Sequence, residues 1–256
     1  MKKIFILILV AISFVACKKT TTSSPTNTTN PVTCGDNPNI NFKCIGTPIG
    51  KFGDSITDVD GNVYKTVTIG TQIWMAEKLK TTKYNDGTII PNVTDSTFWS
   101  KLTSGAWCYN RNDATNNCLY GKLYNWYAVS KATNGNKNVC PTGWHVPSKI
   151  EWDTLINYLG GDSIAGGKMK EIGLTNWKSK NNGATNISLF CGLPGDCRGG
   201  FNEHTFVGFS GNWWSSTNDT SIGGCAWNLS LENFQEKTDL DSSGKGFGLS
   251  VRCLKD

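Results

Sequence analysis

Ser148-Lys149-Ile150-Glu151-Trp152-Asp153-Thr154-Leu155-Ile156-Asn157-Tyr158-Leu159-Gly160-Gly161 is the most regular stretch of this 256-residue chain. Ser148 followed three residues later by Glu151 fits a capping box. The serine oxygen takes an orphan amide at a helix start, and the glutamate reaches back. Trp152, Leu155, Ile156 and Leu159 then fall at i, i+3, i+4 and i+7, one apolar stripe of a helix. Gly160-Gly161 ends it. The pattern predicts a helix over 148–159 buried along one side. Working upstream, Leu123, Trp126, Tyr127 and Ser130 sit at helical spacing and predict a second helix over 120–131. Asp95 can cap a short third one carrying Phe98, Trp99 and Leu102. Further upstream, Val63, Val67 and Ile69 alternate as in a strand, and Gln72-Ile73-Trp74-Met75 reads as another. After about residue 185 the chain becomes glycine-punctuated and strand-like, with candidates at 188–190, 206–209, 213–217, 225–231 and 247–253. Helices in the first half and short antiparallel strands in the second predict an α+β fold.

The N-terminus has a different character. Lys2 and Lys3 precede an apolar run of 13 residues, Ile4 to Ala16. That is short of the roughly 20 residues that cross a bilayer, and it has the shape of an export signal. The run ends in Phe14-Val15-Ala16-Cys17, which is similar to a bacterial lipobox with Phe14 where leucine is usual. In such a motif the cysteine is acylated and becomes the new N-terminus. The expectation is a signal segment 1–17 with lipid attached at Cys17, holding the protein to a membrane. Residues 18–33 are polar, small or proline and have nothing to bury, so they predict a disordered tether about 20 Å in reach. A lead-in segment 34–53 and a folded domain 54–256 follow. The expected location is the cell envelope, lipid-anchored and extracytoplasmic, at the outer membrane or the periplasmic face.

Composition narrows the function classes. The formal charge of +5 falls to +3 once Lys2 and Lys3 leave with the signal. No stretch packs Lys and Arg as a nucleic-acid groove does, so nucleic acid is not an expected partner. Of ten cysteines, nine remain if Cys17 is lipidated. An exported chain can keep disulfides, and an odd number leaves one thiol over. Cys34 and Cys44, ten apart, are candidates for a local bridge. No spacing is CxxC, and His145 and His204 do not pair with cysteines at zinc-finger spacing, so no structural metal is expected.

Candidate chemistry is sparse. Asp58-Val59-Asp60-Gly61-Asn62 has the start of a calcium loop, but the position that needs a glutamate is Ile69, so the segment reads as a turn. His145 lies in a Cys-Pro-Thr-Gly-Trp-His-Val-Pro turn and His204 beside Glu203. Neither belongs to a hydrolase motif, and no phosphate-binding glycine loop is present. Tryptophan is abundant, and Trp99, Trp107, Trp177, Trp213, Trp214 and Trp227 are available to stack on sugar rings. Trp213 and Trp214 are neighbours on an expected strand, which points one into the core and frees the other for exposure. Trp213, Trp214 and Trp227 are the ligand-stacking candidates.

Several segments are familiar in combination. They are Asp58-Val59-Asp60-Gly61-Asn62-Val63-Tyr64 with Ile73-Trp74-Met75-Ala76-Glu77-Lys78-Leu79, then Tyr120-Gly121-Lys122-Leu123-Tyr124-Asn125-Trp126-Tyr127-Ala128-Val129. Cys140-Pro141-Thr142-Gly143-Trp144-His145-Val146-Pro147 leads to Glu151-Trp152. Leu193-Pro194-Gly195 with Arg198, Trp213-Trp214-Ser215-Ser216-Thr217 and Ser250-Val251-Arg252-Cys253 complete the order. Over about residues 54–256 the chain resembles the Fibrobacter succinogenes major paralogous domain, a family of exported proteins of Bacteroidetes and Fibrobacteres. The resemblance implies a C-type-lectin-like mixed domain, of the kind shared with the formylglycine-generating enzyme, with a small twisted antiparallel sheet, a few short helices and long loops. It also implies a disulfide between Cys140 and Cys253, because the two ends of such a fold lie together. Beside it, Cys108–Cys118 would close a short Asn-rich loop and Cys191–Cys197 a Gly-Leu-Pro-Gly-Asp turn, leaving Cys225 unpaired.

Calcium-dependent lectins carry a Glu-Pro-Asn loop and a Trp-Asn-Asp segment. This chain has Trp227-Asn228-Leu229 and no Glu-Pro-Asn, so no calcium or other cofactor is expected. Cys191 and Cys197 followed by Arg198 echo the two cysteines of the formylglycine-generating enzyme, without its surrounding motif. The expectation is therefore a membrane-anchored, non-catalytic binding module with polysaccharide as its ligand class. A protein–protein adhesion or envelope-assembly module and a formylglycine-generating-like oxidase are the alternatives.

Overall fold

The computed structural model describes residues 39–195, 197–199 and 207–256. The signal segment with Cys17, the tether 18–33, Cys34 and His204 lie outside them. In chain order the strands and helices begin with β1 (Lys51–Thr57), β2 (Val63–Ile69), β3 (Gln72–Met75), α1 (Ser96–Trp99) and β4 (Trp107–Tyr109). Next come α2 (Asn117–Tyr120), β5 (Lys122–Tyr124), α3 (Trp126–Val129), β6 (Trp144–His145), α4 (Lys149–Tyr158) and α5 (Asp162–Met169). β7 (Ser210–Asn218), β8 (Cys225–Glu232), β9 (Thr238–Gly244) and β10 (Leu254–Lys255) close the series. The fold is α+β, with three antiparallel sheets ordered β1-β2-β3-β10-β6, β4-β5 and β7-β8-β9.

The last strand is inserted between early ones. Leu254 pairs with Trp74 of β3 on one side and His145 of β6 on the other. A disulfide joins Cys253, just before β10, to Cys140, just before β6. This is the staple that the family resemblance implies.

α4 forms as the sequence predicts. The Ser148 side chain accepts from the Glu151 amide and the Glu151 side chain takes the Ser148 amide. Its stripe enters an aromatic cluster in which Trp152 stacks on Trp74 at 4.6 Å between centroids. Phe190 meets both edge-on, and Trp213 meets Phe190 the same way. Such pairs add about 0.5–1.5 kcal/mol each beyond the area they bury. Replacing Ser148 with alanine is expected to lower stability by about 1 kcal/mol through the lost cap. Denaturant titration of the variant measures it, and an unchanged midpoint would show that packing alone holds this end.

The helix expected over 120–131 is instead a strand and a single helical turn. Gly121 has φ 63°, and a Cβ there would approach the Leu79 carbonyl oxygen to 2.7 Å. Lys122–Tyr124 pair with Trp107–Tyr109, and Asn125 restarts the helix by accepting from the Ala128 amide. Long-range pairing overrides the local 3.6-residue period.

Residues 188–190 are not a strand either. Leu189 and Cys191 both have left-handed backbones, at φ 58° and 52°. This conformation costs side-chain-bearing residues on the order of 1–3 kcal/mol and persists only where surroundings enforce it. Here Arg252, fully buried, donates to the carbonyls of Phe190 and Cys191, and the Phe190 ring is driven into the tryptophan cluster. Residues 207–209 form a turn, and 247–253 make only isolated bridges, Arg198 with Gly248, Tyr124 with Leu249 and Trp213 with Ser250. β1, α5 and β9 appear where no periodic signal pointed to them. α5 lacks a stripe because its middle is small: a Cβ on Gly166 would lie 2.4 Å from the Lys237 carbonyl oxygen, so the glycine lets the chain before β9 pass against the helix.

Candidate functional site

Nine of the ten tryptophans are buried, among them Trp99, Trp107, Trp177, Trp213 and Trp214. Trp213 and Trp214, expected to split between core and surface, are both at 0% exposure. Alternation still holds between them, but both faces of β7 are covered. The Trp213 ring joins the Phe190 cluster, whereas the Trp214 indole donates to the Tyr124 carbonyl at 2.7 Å. Neither is available to a ligand. Trp227 on β8 is the half-buried one.

Trp227 lies beside the start of α4. The Lys149 ammonium sits 5.0 Å over its ring and 2.8 Å from the Asp153 carboxylate. The Lys149 amide also donates to Thr217 Oγ1 of β7 at 2.9 Å. Two clefts are lined by neighbours of this junction, one including Asp153 and the other Ser216, and Trp227 itself lines neither. One, of about 380 Å³, is lined by Asp153, Asn157, Asp162, Lys237 and Asp239. The other, of about 580 Å³, is lined by Ser130, Lys131, Asn138, His145, Ser216 and Asp256. A surface that alternates an aromatic ring, amides, hydroxyls and paired charges is suited to reversible polar binding. Lys149, Asp153 and Ser216 were not legible as site residues, because nothing local marks a lysine that meets a ring 78 positions away.

His145 is braced rather than poised. Its Nδ1 is 2.6 Å from Asp256 Oδ1 and its Nε2 is 2.9 Å from Glu151 Oε1. Both ring nitrogens are thereby engaged inside the protein. Burial pushes the Glu151 carboxyl up, but hydrogen bonds from Ser148 and His145 outweigh it and hold the group below the usual carboxylate range. The Asp58 turn is likewise self-contained. Asp58 Oδ1 accepts from the amides of Asp60 and Asn62, and Oδ2 from the Tyr64 hydroxyl. Asp60 accepts from Thr82 and pairs with Lys83 at 3.0 Å.

Cys44, Cys108, Cys191, Cys197 and Cys225 carry thiols. The expected bridges Cys34–Cys44, Cys108–Cys118 and Cys191–Cys197 are therefore corrected. Cys44 donates to the Gly46 carbonyl. Cys108 is sealed in a small core with Trp99, Ala106 and Leu123. Cys118 is disulfide-bonded, to a partner outside the described residues. Cys191 turns toward the Asn186 amide, while Cys197 packs against a different core cluster. Burial pushes the Cys191 thiol up to about 12, and a buried thiol of that kind supplies no nucleophile.

Comparison with known proteins gives one match: the Fibrobacter succinogenes major domain profile covers residues 67–255. The chain belongs to the Fibrobacter succinogenes major domain family. No curated protein and no solved structure matches it. The family match runs from the middle of β2 to the end of β10, so the Fibrobacter succinogenes major domain contains the disulfide, the aromatic cluster, α4 and Trp227. No helix among the described residues is long and apolar enough to cross a membrane.

Proposed function

We propose that the chain is an exported lipoprotein, anchored through lipid on Cys17, whose Fibrobacter succinogenes major domain is a non-catalytic binding module for polysaccharide at the extracytoplasmic face of the cell envelope. The observation that carries the ligand class is Trp227, half-buried and steadied by Lys149, whose ion-pair partner Asp153 lines one polar cleft while Ser216, next to Thr217, lines another. Sugar rings present C–H faces to an aromatic ring and hydroxyls to the flanking carboxylates and amides, which is the chemistry those clefts supply. The braced His145 and the buried Cys191 favour binding over turnover, because neither has a free reactive atom facing a cleft. The anchor reading rests on the basic start, the short apolar run and Cys17.

Two measurements test the proposal. Binding of the mature protein to a polysaccharide array is expected, with Trp227→Ala weakening the best ligand about tenfold, the loss of one aromatic contact. Equal binding by the variant, or an array with no ligand, would overturn the polysaccharide reading. Cys17→Ser is expected to move the protein out of the membrane fraction, and its retention there at native levels would overturn the anchor.

A further inference from the structure

Lys122 is an unusual cation. It is 3% exposed, and among the described residues no ion pair includes it. Its ammonium donates to the Lys80 carbonyl and, at 3.1 Å, to Asn117 Oδ1. The rings of Trp107 and Tyr109 stand 4.8 and 5.2 Å from it. Both hydrogen-bond partners are neutral, so a charge taken out of water is left without a counter-charge in contact. Asn117, by contrast, is half-exposed at the start of α2.

We propose that Lys122 and Asn117 form an intramolecular isopeptide bond in the folded protein. The Lys122 Nζ lone pair attacks Asn117 Cγ, and the Nζ–Cγ bond forms as the Cγ–Nδ2 bond breaks. One Nζ hydrogen passes to Nδ2, and ammonia leaves through the half-exposed side of Asn117. No oxidant or other reactant is required. Nζ already lies 3.1 Å from Asn117 Oδ1, and a turn of the side chain about Cα–Cβ, which does move Cγ, brings that carbon to Nζ. Holding two groups in this way supplies an effective molarity of roughly 10⁵–10⁸ M for well-aligned pairs.

Burial pushes the ammonium down to about 8, against the attraction of Asp60 and Asp58. About a tenth of the amine is thus neutral at neutral pH. The product also suits the site. A neutral secondary amide replaces the buried charge, and its one N–H keeps the Lys80 carbonyl as acceptor.

Intact mass spectrometry of the reduced, denatured mature protein tests this. The expected mass is about 17 Da below that of the unmodified chain, with a branched peptide joining residues 117 and 122 after digestion. Lys122→Met and Asn117→Ala are each expected to restore the full mass. A native protein of full mass would overturn the bond. So would a deficit that persists in Lys122→Met, because ring closure of Asn117 onto the following amide loses the same ammonia without lysine. If Lys122→Met fails to fold, the native digest keeps the test readable, because ring closure gives no branched peptide and its absence there would overturn the bond.

Discussion

Cys140→Ala/Cys253→Ala is expected to unfold with about 4–5 kcal/mol less free energy than the native protein, the chain-entropy value for a loop of this length. The bridge spans 113 residues and both cysteines are buried. What it closes is otherwise weakly held. β10 is two residues long and meets β3 through the single pair Leu254–Trp74. The adjoining backbone adds Met75 N–H to the Cys253 carbonyl at 3.0 Å and Leu79 N–H to the Val251 carbonyl at 2.8 Å. The same segment delivers Arg252 to the Phe190 and Cys191 carbonyls, so losing it also releases the two left-handed residues there. Guanidinium unfolding of the double variant, beside the native protein with and without reductant, measures the loss. The reduced native protein is expected to lose at least as much as the variant, because reductant also opens the bridge at Cys118. A difference under about 1 kcal/mol would mean that the unfolded chain retains enough structure to make the staple redundant.

The parts of this fold that were legible in the sequence are those whose cause is local. The Ser148–Glu151 box and the stripe from Trp152 to Leu159 specify α4 without help, and Asp95 caps α1 for the same reason. The strands at 63–69 and 72–75 show in their alternation and the turn between them. Elements set by distant partners were not legible. Leu123 and Trp126 share a helical spacing, yet pairing with β4 makes the first a strand residue. Phe190 looked like a strand residue, yet Arg252, 62 positions away, fixes a backbone that no strand adopts. Adjacency of Trp213 and Trp214 encodes opposite faces but not whether either face is wet, since the chain segment covering each is remote. The disulfide between Cys140 and Cys253 came from family resemblance. The bridges inferred from short spacing failed, because proximity in sequence says little about side-chain direction.

Lys170→Ala is expected to lower stability by about 3–5 kcal/mol, since it removes three charge-assisted hydrogen bonds together with the buried stem that places them. Lys170 is fully buried at the end of α5. Its ammonium donates to the carbonyls of Asn182 at 2.8 Å, Glu232 at 2.9 Å and Gln235 at 2.7 Å. One side chain thus joins three segments that share no sheet ladder at those atoms. Lys170→Met keeps most of the apolar stem and is expected to lose nearly as much, which separates the donors from the packing. The lysine also has a signature in pH. Burial pushes it down to about 8, against the attraction of Glu236 and Glu232. Between about pH 8 and 10.5 the unfolded chain therefore holds a proton that the folded protein has released, and stability rises with pH across that window. Lys122 acts in the same sense unless its charge has been removed. Cys191 acts in the opposite sense: its thiol lies above the ordinary 9.0, so the unfolded chain ionises first and stability falls between pH 9 and about 12. Arg252, which burial pushes down to about 9, acts on the side of the lysines. Unfolding midpoints are thus expected to climb from about pH 8 and to go on rising beyond 9 against the thiol, with a shallower climb in Lys170→Met. A climb of equal slope in that variant would assign the proton release to another group.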